Sequence, residues 1–453
     1  MNINNSVPVF ISYAFILLYL CVMNQKKILD KLSIETLNAM QKEAIEVIQS
    51  NKEVVLLSPT GTGKTVAFLL PVISELDTVC TEIQVMIVVP SRELALQIEQ
   101  VVRQMGTGFK TNAVYGGRAG AQDKIDLKHR PAILIGTPGR IADHLRKDRF
   151  STDFIKTLVL DEFDKSLEVG FEVEMTEIVA ALPHVQKKIL TSATQALKIP
   201  DFVKLKQPKY LNYLHEITTQ LSIKTILSPS KDKLETLVDA LSHIGNQPGI
   251  IFCNFKESIQ RVSDFLKENN IQHGCFHGDM EQIDRERALV KFRNGTHQLI
   301  LATDLASRGL DIPEIRFILH YQLPSREQEF THRNGRTARM KSDGTAYILA
   351  YKNEKLPDFI GKNIVEEIRP APVPLPSIWK TLYISGGRRD KISKGDIAGL
   401  FMKQGKLKPE ELGVIEIKQD CTFVGVHASK IDNLIYLTNN SKLKTKKIRV
   451  SEI

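Results

Sequence analysis

The sequence predicts an α/β protein of two tandem parallel-sheet lobes followed by a small α+β domain, and three observations carry that reading. Past residue 24, short apolar β-rich runs alternate with amphipathic stretches in two successive sets, as in parallel sheets covered on both faces. Residues 370–376 read PAPVPLP, whose alternating prolines favour an extended, semi-rigid connector. Between residues 378 and 453, fifteen Lys/Arg stand against eight Asp/Glu, so that +7 of the chain's formal +9 lies at this end. Such concentrated positive charge favours a polyanionic partner.

At 453 residues the chain exceeds the size at which one core stops growing, so several domains are expected. With 42% apolar and 25% charged residues it is neither disordered nor fibrous. The five cysteines (Cys21, Cys80, Cys253, Cys275, Cys421) show no CxxC spacing, which argues against a zinc site or a disulfide framework and fits a reducing compartment, the cytoplasm.

Residues 1–23 form an apolar extension. No charge precedes Lys26, and the run 7–23 is at the short limit of a membrane span. The absence of a basic residue before the run disfavours a signal peptide. Two readings stand: translation starting at Met23, or an anchor entering with its N-terminus outside.

The first lobe is expected over 24–205, with strands near 54–57, 85–89, 133–135, 157–160 and 188–190. A linker follows over 206–222. The second lobe is expected over 223–365, with strands near 249–253, 272–275, 298–302, 317–320 and 344–349. After the proline-rich linker, 366–377, the basic domain 378–453 reads strand 381–384, helix 393–404, strands 413–417 and 422–426, and helix 428–438, in a βαββαβ pattern.

Ser58-Pro-Thr-Gly-Thr-Gly-Lys-Thr65 follows the first apolar run and opens a helix-like stretch. In that setting the backbone N–H groups of Ser58, Thr60, Gly61, Thr62 and Gly63 can cradle phosphates at a helix N-terminus. Lys64 would reach the terminal phosphates of ATP and Thr65 would hold Mg²⁺. Ser58 stands where the usual pattern has its first glycine. Thr157-Leu-Val-Leu-Asp-Glu-Phe-Asp164 is an apolar strand ending in acids, so Asp161 would hold Mg²⁺, through water, and Glu162 would polarise the attacking water.

Six strings, Pro90-Ser-Arg-Glu-Leu-Ala95, Thr137-Pro-Gly-Arg140, Asp161-Glu-Phe-Asp164, Ser192-Ala-Thr194, the run from Ala302 to Asp311 and His332-Arg-Asn-Gly-Arg-Thr-Ala-Arg339, occur in the order and spacing of the DEAD-box RNA helicases. The resemblance covers roughly residues 25–365 and implies RecA-like lobes. It gives Gln41 the reading of adenine, Ser192 and Thr194 with Asp164 the coupling of hydrolysis to RNA grip, Arg336 and Arg339 the role of arginine fingers, and Asp311 the completion of the nucleotide site. It implies that hydrolysis requires closure of the lobes on RNA. RNA contacts carried over from the family are Arg92, Gly117, Thr137 and Arg140 in the first lobe, and Gly278, Gln282, Arg285 and Thr303 in the second, directed at the backbone with little sequence preference. The HRNGRTAR string and Gln41 resemble the RNA-directed branch, which disfavours a DNA helicase.

Two departures stand out. Phe163 replaces the usual alanine of the acidic motif, so a large ring must fit behind the acids. An aromatic residue upstream of Gln41, where the family stacks adenine, is not evident.

The run from Lys380 to Lys391, with Lys394-Gly-Asp-Ile-Ala-Gly399 and Leu412-Gly-Val-Ile-Glu-Ile417, resembles the atypical RNA-recognition domain (an RRM-like βαββαβ fold) of DbpA-type helicases. The resemblance implies capture of a 23S ribosomal RNA hairpin, action on pre-ribosomal particles, and a monomer. The domain offers Tyr383 and Phe423 as sheet aromatics, so recognition through shape and basic loops such as 388–391 is expected. The alternatives are a nucleotide-gated RNA clamp without productive unwinding, to which Phe163 points, and a helicase acting on other RNA.

Overall fold

The computed structural model describes residues 25–117, 120–194, 199–215, 221–304, 315–337, 344–361 and 363–453. The chain divides into two compact units at residues 217/218.

In the first unit, strands β1 (Glu53–Leu57), β2 (Val85–Val88), β3 (Thr111–Val114), β4 (Ile133–Gly136), β5 (Thr157–Leu160), β6 (Lys187–Ser192) and β7 (Lys209–Asn212) form a parallel sheet of order β3-β4-β2-β5-β6-β1-β7. β2 to β5 are buried along their whole length; β2, β4 and β5 accordingly read as near-continuous apolar runs, whereas β3 (TNAV) buries Thr111 and Asn112. One core cluster contains Ile48, Phe68, Leu69, Ile87 and Ile98, and another contains Met86, Leu134, Leu158, Phe163 and Val203. Residues 206–222 are not a plain linker: Lys209–Asn212 pairs with β1 as the sheet's edge. Three of its four residues are exposed and only Leu211 is buried, so no apolar run marks it in the sequence.

In the second unit, β8 (Leu221–Ser228), β9 (Gly249–Phe252), β10 (Gly274–Phe276), β11 (Leu299–Ala302), β12 (Phe317–His320), β13 (Gly344–Tyr351) and β14 (Ile364–Val365) give a second parallel sheet of order β10-β11-β9-β12-β13-β8-β14. Strand for strand this is the order of the first sheet, with β8, β9, β10, β11, β12, β13 and β14 standing where β1, β2, β3, β4, β5, β6 and β7 stand there.

The proline-rich stretch is laid on this unit. The Arg369 N–H donates to His243 Nδ1 at 3.1 Å, and Pro374 and Leu375 line a small cavity with Leu241, Ile271 and Thr296.

Beyond it, β15 (Trp379–Ile384), β16 (Leu412–Ile417), β17 (Thr422–His427) and β20 (Val450–Glu452) form an antiparallel sheet of order β16-β17-β15-β20, with the short hairpin β18 (Lys442–Leu443) and β19 (Lys446–Lys447) before the last strand. Helices Lys394–Lys403 and Ile431–Thr438 contribute Ile397, Phe401 and Leu434 to a core with Leu382, Ile384, Val424 and Val426 from one sheet face. Ser393 caps the first helix with its hydroxyl on the Asp396 N–H at 3.2 Å, and Asp396 reaches back to the Ser393 N–H at 2.8 Å.

The other sheet face, carrying Trp379, Thr381 and Tyr383 at period two, turns toward residues 293–297. Thr381 is fully buried; its hydroxyl meets Thr296 Oγ1 at 2.8 Å and accepts from Asn294 Nδ2 at 3.3 Å. Arg293 pairs with Glu416 at 2.9 Å, and the Ser377 hydroxyl donates to the Gly295 carbonyl at 2.5 Å. Trp379 packs against Gly295 and Gly413; a Cβ on Gly413 would lie a tight 3.2 Å from its ring, and Gly295 holds φ +75°, a conformation that favours glycine.

Among the described residues no helix is long and apolar enough to cross a membrane. The apolar run 7–23 lies outside the described residues.

Candidate active site and nucleic-acid surfaces

The loop after β1 is folded by its own side chains. Gly61 and Gly63 adopt φ of +83° and +86°, in the region open to glycine. A Cβ on Gly63 would lie 2.4 Å from Gln41 Nε2, so a side chain there would displace the Gln41 amide as well as strain the backbone. The Ser58 hydroxyl meets Thr62 Oγ1 at 2.8 Å, a staple across the loop that a glycine at 58 could not make. Gln41, 4% exposed, donates from Nε2 to the Gly63 carbonyl at 3.2 Å and accepts from the Asn38 N–H at 3.0 Å, while Asn38 Nδ2 donates to the Thr62 carbonyl at 3.0 Å. The helix Ala39–Ser50 is thereby tied to the loop through its capping residues. Lys64, buried, donates to the carbonyls of Ser58 at 2.7 Å and Pro59 at 2.8 Å, and Thr65 follows it in the first turn of helix Lys64–Ser74.

β6 lies between β1 and β5, so the loop after β1 and the acidic motif after β5 emerge on either side of it at the sheet's carboxyl edge. Asp161 is 3% exposed; burial pushes its carboxyl up to about 6, Glu162 adds to this, and the Thr191 hydroxyl and Lys64 oppose it. Thr191 Oγ1 donates to Asp161 Oδ1, which also accepts from the Glu162 N–H at 3.1 Å. Glu162 sits at φ +48°, ψ +49°, a left-handed conformation costing a non-glycine residue about 1–2 kcal/mol. Its Oε2 is buried and has no hydrogen-bond partner among the described residues. Strain and an unsatisfied acid oxygen at one position mark it as functional ground. Asp164 accepts from the Thr194 hydroxyl at 3.1 Å and from the Ala193 N–H at 3.3 Å, and the Ser192 hydroxyl donates to the Thr194 carbonyl at 2.9 Å. Phe163, 2% exposed, is buried in the core cluster with Met175, Leu190 and Val203.

The residues expected to touch RNA from the first unit follow adjacent strands. Gly117, at φ +82°, lies against the Arg92 guanidinium, whose Nη1 is 2.7 Å from where a Cβ would stand. Thr137 heads helix Pro138–Arg146, and Arg140 is held by the fully buried Asp123 through Nε and Nη2, both at 2.7 Å. His144 Nε2 lies 3.1 Å from the same carboxylate.

In the second unit Gly278 and Gln282 flank the start of helix Gln282–Arg293, and Thr303 follows β11. Arg285 is only 7% exposed and stacks on the Phe276 ring, 4.8 Å from its centroid. Arg336 is 6% exposed at the end of helix Glu327–Asn334. Asp311 and Arg339 lie outside the described residues. The structure adds a group that the motif reading did not single out. Arg333, 1% exposed, donates to Asp304, Asn254 Oδ1 (2.7 Å) and the Gln322 carbonyl (2.6 Å) and packs 5.0 Å above the Phe252 ring. Its position within the HRNGRTAR string was the available signal.

In the C-terminal domain Phe423 is 5% exposed and meets Tyr383 edge to face at 5.8 Å, so only Tyr383 of the two keeps an accessible ring surface.

The chain matches the DEAD/DEAH box helicase family over residues 38–202, the helicase conserved C-terminal domain over 232–341 and the DbpA RNA binding domain over 381–452. It is 30% identical to the ATP-dependent RNA helicase DbpA of Escherichia coli, an alignment covering 93% of this chain and 95% of that protein, and 28% identical to DbpA of Bacillus subtilis, covering 91% and 94%. Among solved structures it is similar to Mss116p bound to ssRNA and AMP-PNP, with 28% identity, a TM-score of 0.64 and coverage of 75% of this chain and 76% of that one. Dbp5 of Saccharomyces cerevisiae shares its fold at a TM-score of 0.66. The phosphate loop, the acidic motif beside it and the three matched regions in this order all agree: the chain belongs to the DEAD-box ATP-dependent RNA helicases, RNA-stimulated ATPases, and within them to the DbpA type.

Proposed function

We propose that the chain remodels 23S ribosomal RNA during large-subunit assembly, acting as a cytoplasmic monomer on pre-ribosomal particles. The observation that supports this most is the folded basic domain over 379–453, matched over 381–452 by the DbpA RNA binding domain. A domain that captures one RNA element raises the local concentration of that RNA at a core with little sequence preference of its own.

In this reading Gln41 orients the adenine, and the N–H groups of 58–63 with the Lys64 ammonium hold the phosphates. The residues fit a divalent cation: Asp161 is a buried carboxyl crowded by Glu162, an arrangement that positive charge would relieve. Mg²⁺ held by Thr65 and, through water, Asp161 would neutralise charge on the phosphate oxygens. Glu162 accepts from the attacking water, for which its buried Oε2, without a partner among the described residues, is suited. Arg336 and Arg339 stabilise the transferring phosphoryl group, and Asp311 completes the site. Asp164, Thr194 and Ser192 tie the acidic motif to the end of β6, so a shift at the phosphates reaches the RNA-facing loops. Arg92, Gly117, Thr137, Arg140, Gly278, Gln282, Arg285 and Thr303 grip the RNA backbone.

The test is ATP turnover by the purified chain without RNA, with unrelated RNA and with a 23S fragment, beside Glu162→Gln. Strongest stimulation by the 23S fragment is expected, with kcat lowered about 10²–10⁴-fold in the variant. Equal stimulation by any RNA would remove the ribosomal assignment. RNA-dependent ATP binding without turnover would make the chain a clamp.

A further inference from the structure

Helix Gln282–Arg293 has two occupations. Its first turn carries Gln282 and Arg285, proposed to grip RNA, and its end leads into residues 293–297, on which the C-terminal sheet is seated. At 1.5 Å per residue the two ends are about 17 Å apart. Along the helix between them runs a cleft of about 760 Å³, lined by Ile283, Arg287 and Lys291 from the helix and by Tyr383 and Glu452 from the sheet. Positions 283, 287 and 291 repeat every four residues and so share one stripe of the helix.

The charges in this cleft are only partly matched. Asp284 lies 3.4 Å from Arg287, and Glu452 pairs with Lys380 at 3.1 Å. The Lys291 ammonium has no hydrogen bond or ion pair among the described residues, although the residue is half-buried. Burial lowers its pKa, Lys380 and Arg287 lower it further, and Glu452 opposes them. Three cations converging where one ammonium is both desolvated and unpaired is a costly arrangement that an anion would relieve. Arg287 and Lys291, one turn apart, are about 6 Å apart along the axis, near the spacing of successive phosphates in an extended strand. Opposite them the Tyr383 ring is partly exposed, a surface on which any base can stack.

We propose that this cleft carries a single strand of RNA, with phosphates on Arg287 and Lys291 and a base on Tyr383, leading from RNA held by the C-terminal domain to the Gln282 end of the helix. The route deepens the reading of that domain as an RNA-capturing module. Because the sheet face is fixed on residues 293–297, the strand enters at a set distance from the core's own grip.

The test uses the full chain and three RNAs: a 23S-derived hairpin, the same hairpin with a ten-uridine tail containing 4-thiouridine, and the ten-uridine strand alone. The tail is expected to tighten binding of the hairpin and to cross-link to Tyr383 or to residues 283–291. In Arg287→Ala/Lys291→Ala the gain from the tail should vanish while the hairpin alone binds as before. The plot of log affinity against log salt for the tailed RNA should lose about 1.4 in slope, two phosphates at about 0.7 each. Tyr383→Leu should abolish the cross-link while leaving the salt slope unchanged. A tail that adds nothing, or cross-links confined to other surfaces, would overturn the proposal. Failure of the hairpin to bind at all would instead refute the ribosomal reading; the uridine strand alone then decides the cleft by whether it cross-links there.

Discussion

The Arg333 guanidinium grips the Asp304 carboxylate with two parallel bonds, Nε to Oδ1 at 2.7 Å and Nη2 to Oδ2 at 2.5 Å, inside the second lobe where Arg333 is almost wholly buried. The same fork reaches Asn254 and the Gln322 carbonyl, tying the ends of β9, β11 and β12 together. Removing one partner of such a pair leaves polar groups buried and unmatched. Arg333→Ala is therefore expected to destabilise the second unit by about 3–5 kcal/mol in urea unfolding, with Arg333→Lys recovering only part because an ammonium cannot make the fork. A loss below about 1 kcal/mol would mean that the network is solvated and not structural.

Phe163 gives a second measurement. Its ring is part of the core, so Phe163→Ala, which restores the family's usual residue, should cost about 3–5 kcal/mol of stability by leaving a cavity. ATP turnover should persist at permissive temperature, since Asp161, Glu162 and Asp164 are untouched. Unchanged thermal stability would show that the surroundings collapse onto the smaller residue, and a loss of turnover would give the ring a role in chemistry.

The Thr194 hydroxyl on Asp164 is open to a nearly isosteric test. Thr194→Val removes a hydrogen bond to a carboxylate, worth about 1.5–3 kcal/mol, and should lower unwinding per ATP consumed by tenfold or more. Parallel losses of turnover and unwinding would argue against a coupling role.

Two histidines, His320 buried and His297 partly buried, make the second unit acid-sensitive. His320 is held down to about 3 by burial and then by Arg333, and His297 to about 4 by burial and then by Lys291. Between those values and about 6.5 the unfolded chain binds protons that the folded one does not, so stability rises with pH through that window and is lost as pH falls below about 6.5. Each histidine contributes a slope of about 1.4 kcal/mol per pH unit there. Urea midpoints for the parent and His320→Gln at pH 7.5 and 5.5 should converge as pH falls; parallel curves would show that His320 titrates normally.

The sequence revealed most where buried strands are almost wholly apolar. β2, β4 and β5 are apolar on both faces, and their runs were plain without any coordinates. β3 (TNAV) and β7 (KYLN) carry polar residues in short strands near the sheet's edges, and neither periodicity nor composition separates such strands from loop. The glycine loop and acidic motif were legible because their chemistry demands fixed residue types. The capping of Gln41 and Asn38 onto the loop, the Asp123 support of Arg140 and the Arg333 fork were not, because each joins residues far apart in sequence through side chains of ordinary type. The sheet aromatics were visible as letters, yet only the packing separates accessible Tyr383 from buried Phe423.

The seat of the C-terminal sheet on residues 293–297 has a consequence for anyone building chimaeras. The proline-rich stretch looks like the natural seam at which to exchange this domain for another, but a cut there severs Thr381 from Thr296 and Asn294, Trp379 from Gly295 and Glu416 from Arg293. The matched unit begins inside the helicase lobe, so a working graft has to carry residues 291–297 with the domain. Homologues that differ at those few positions are then the poorest donors, whatever their overall similarity.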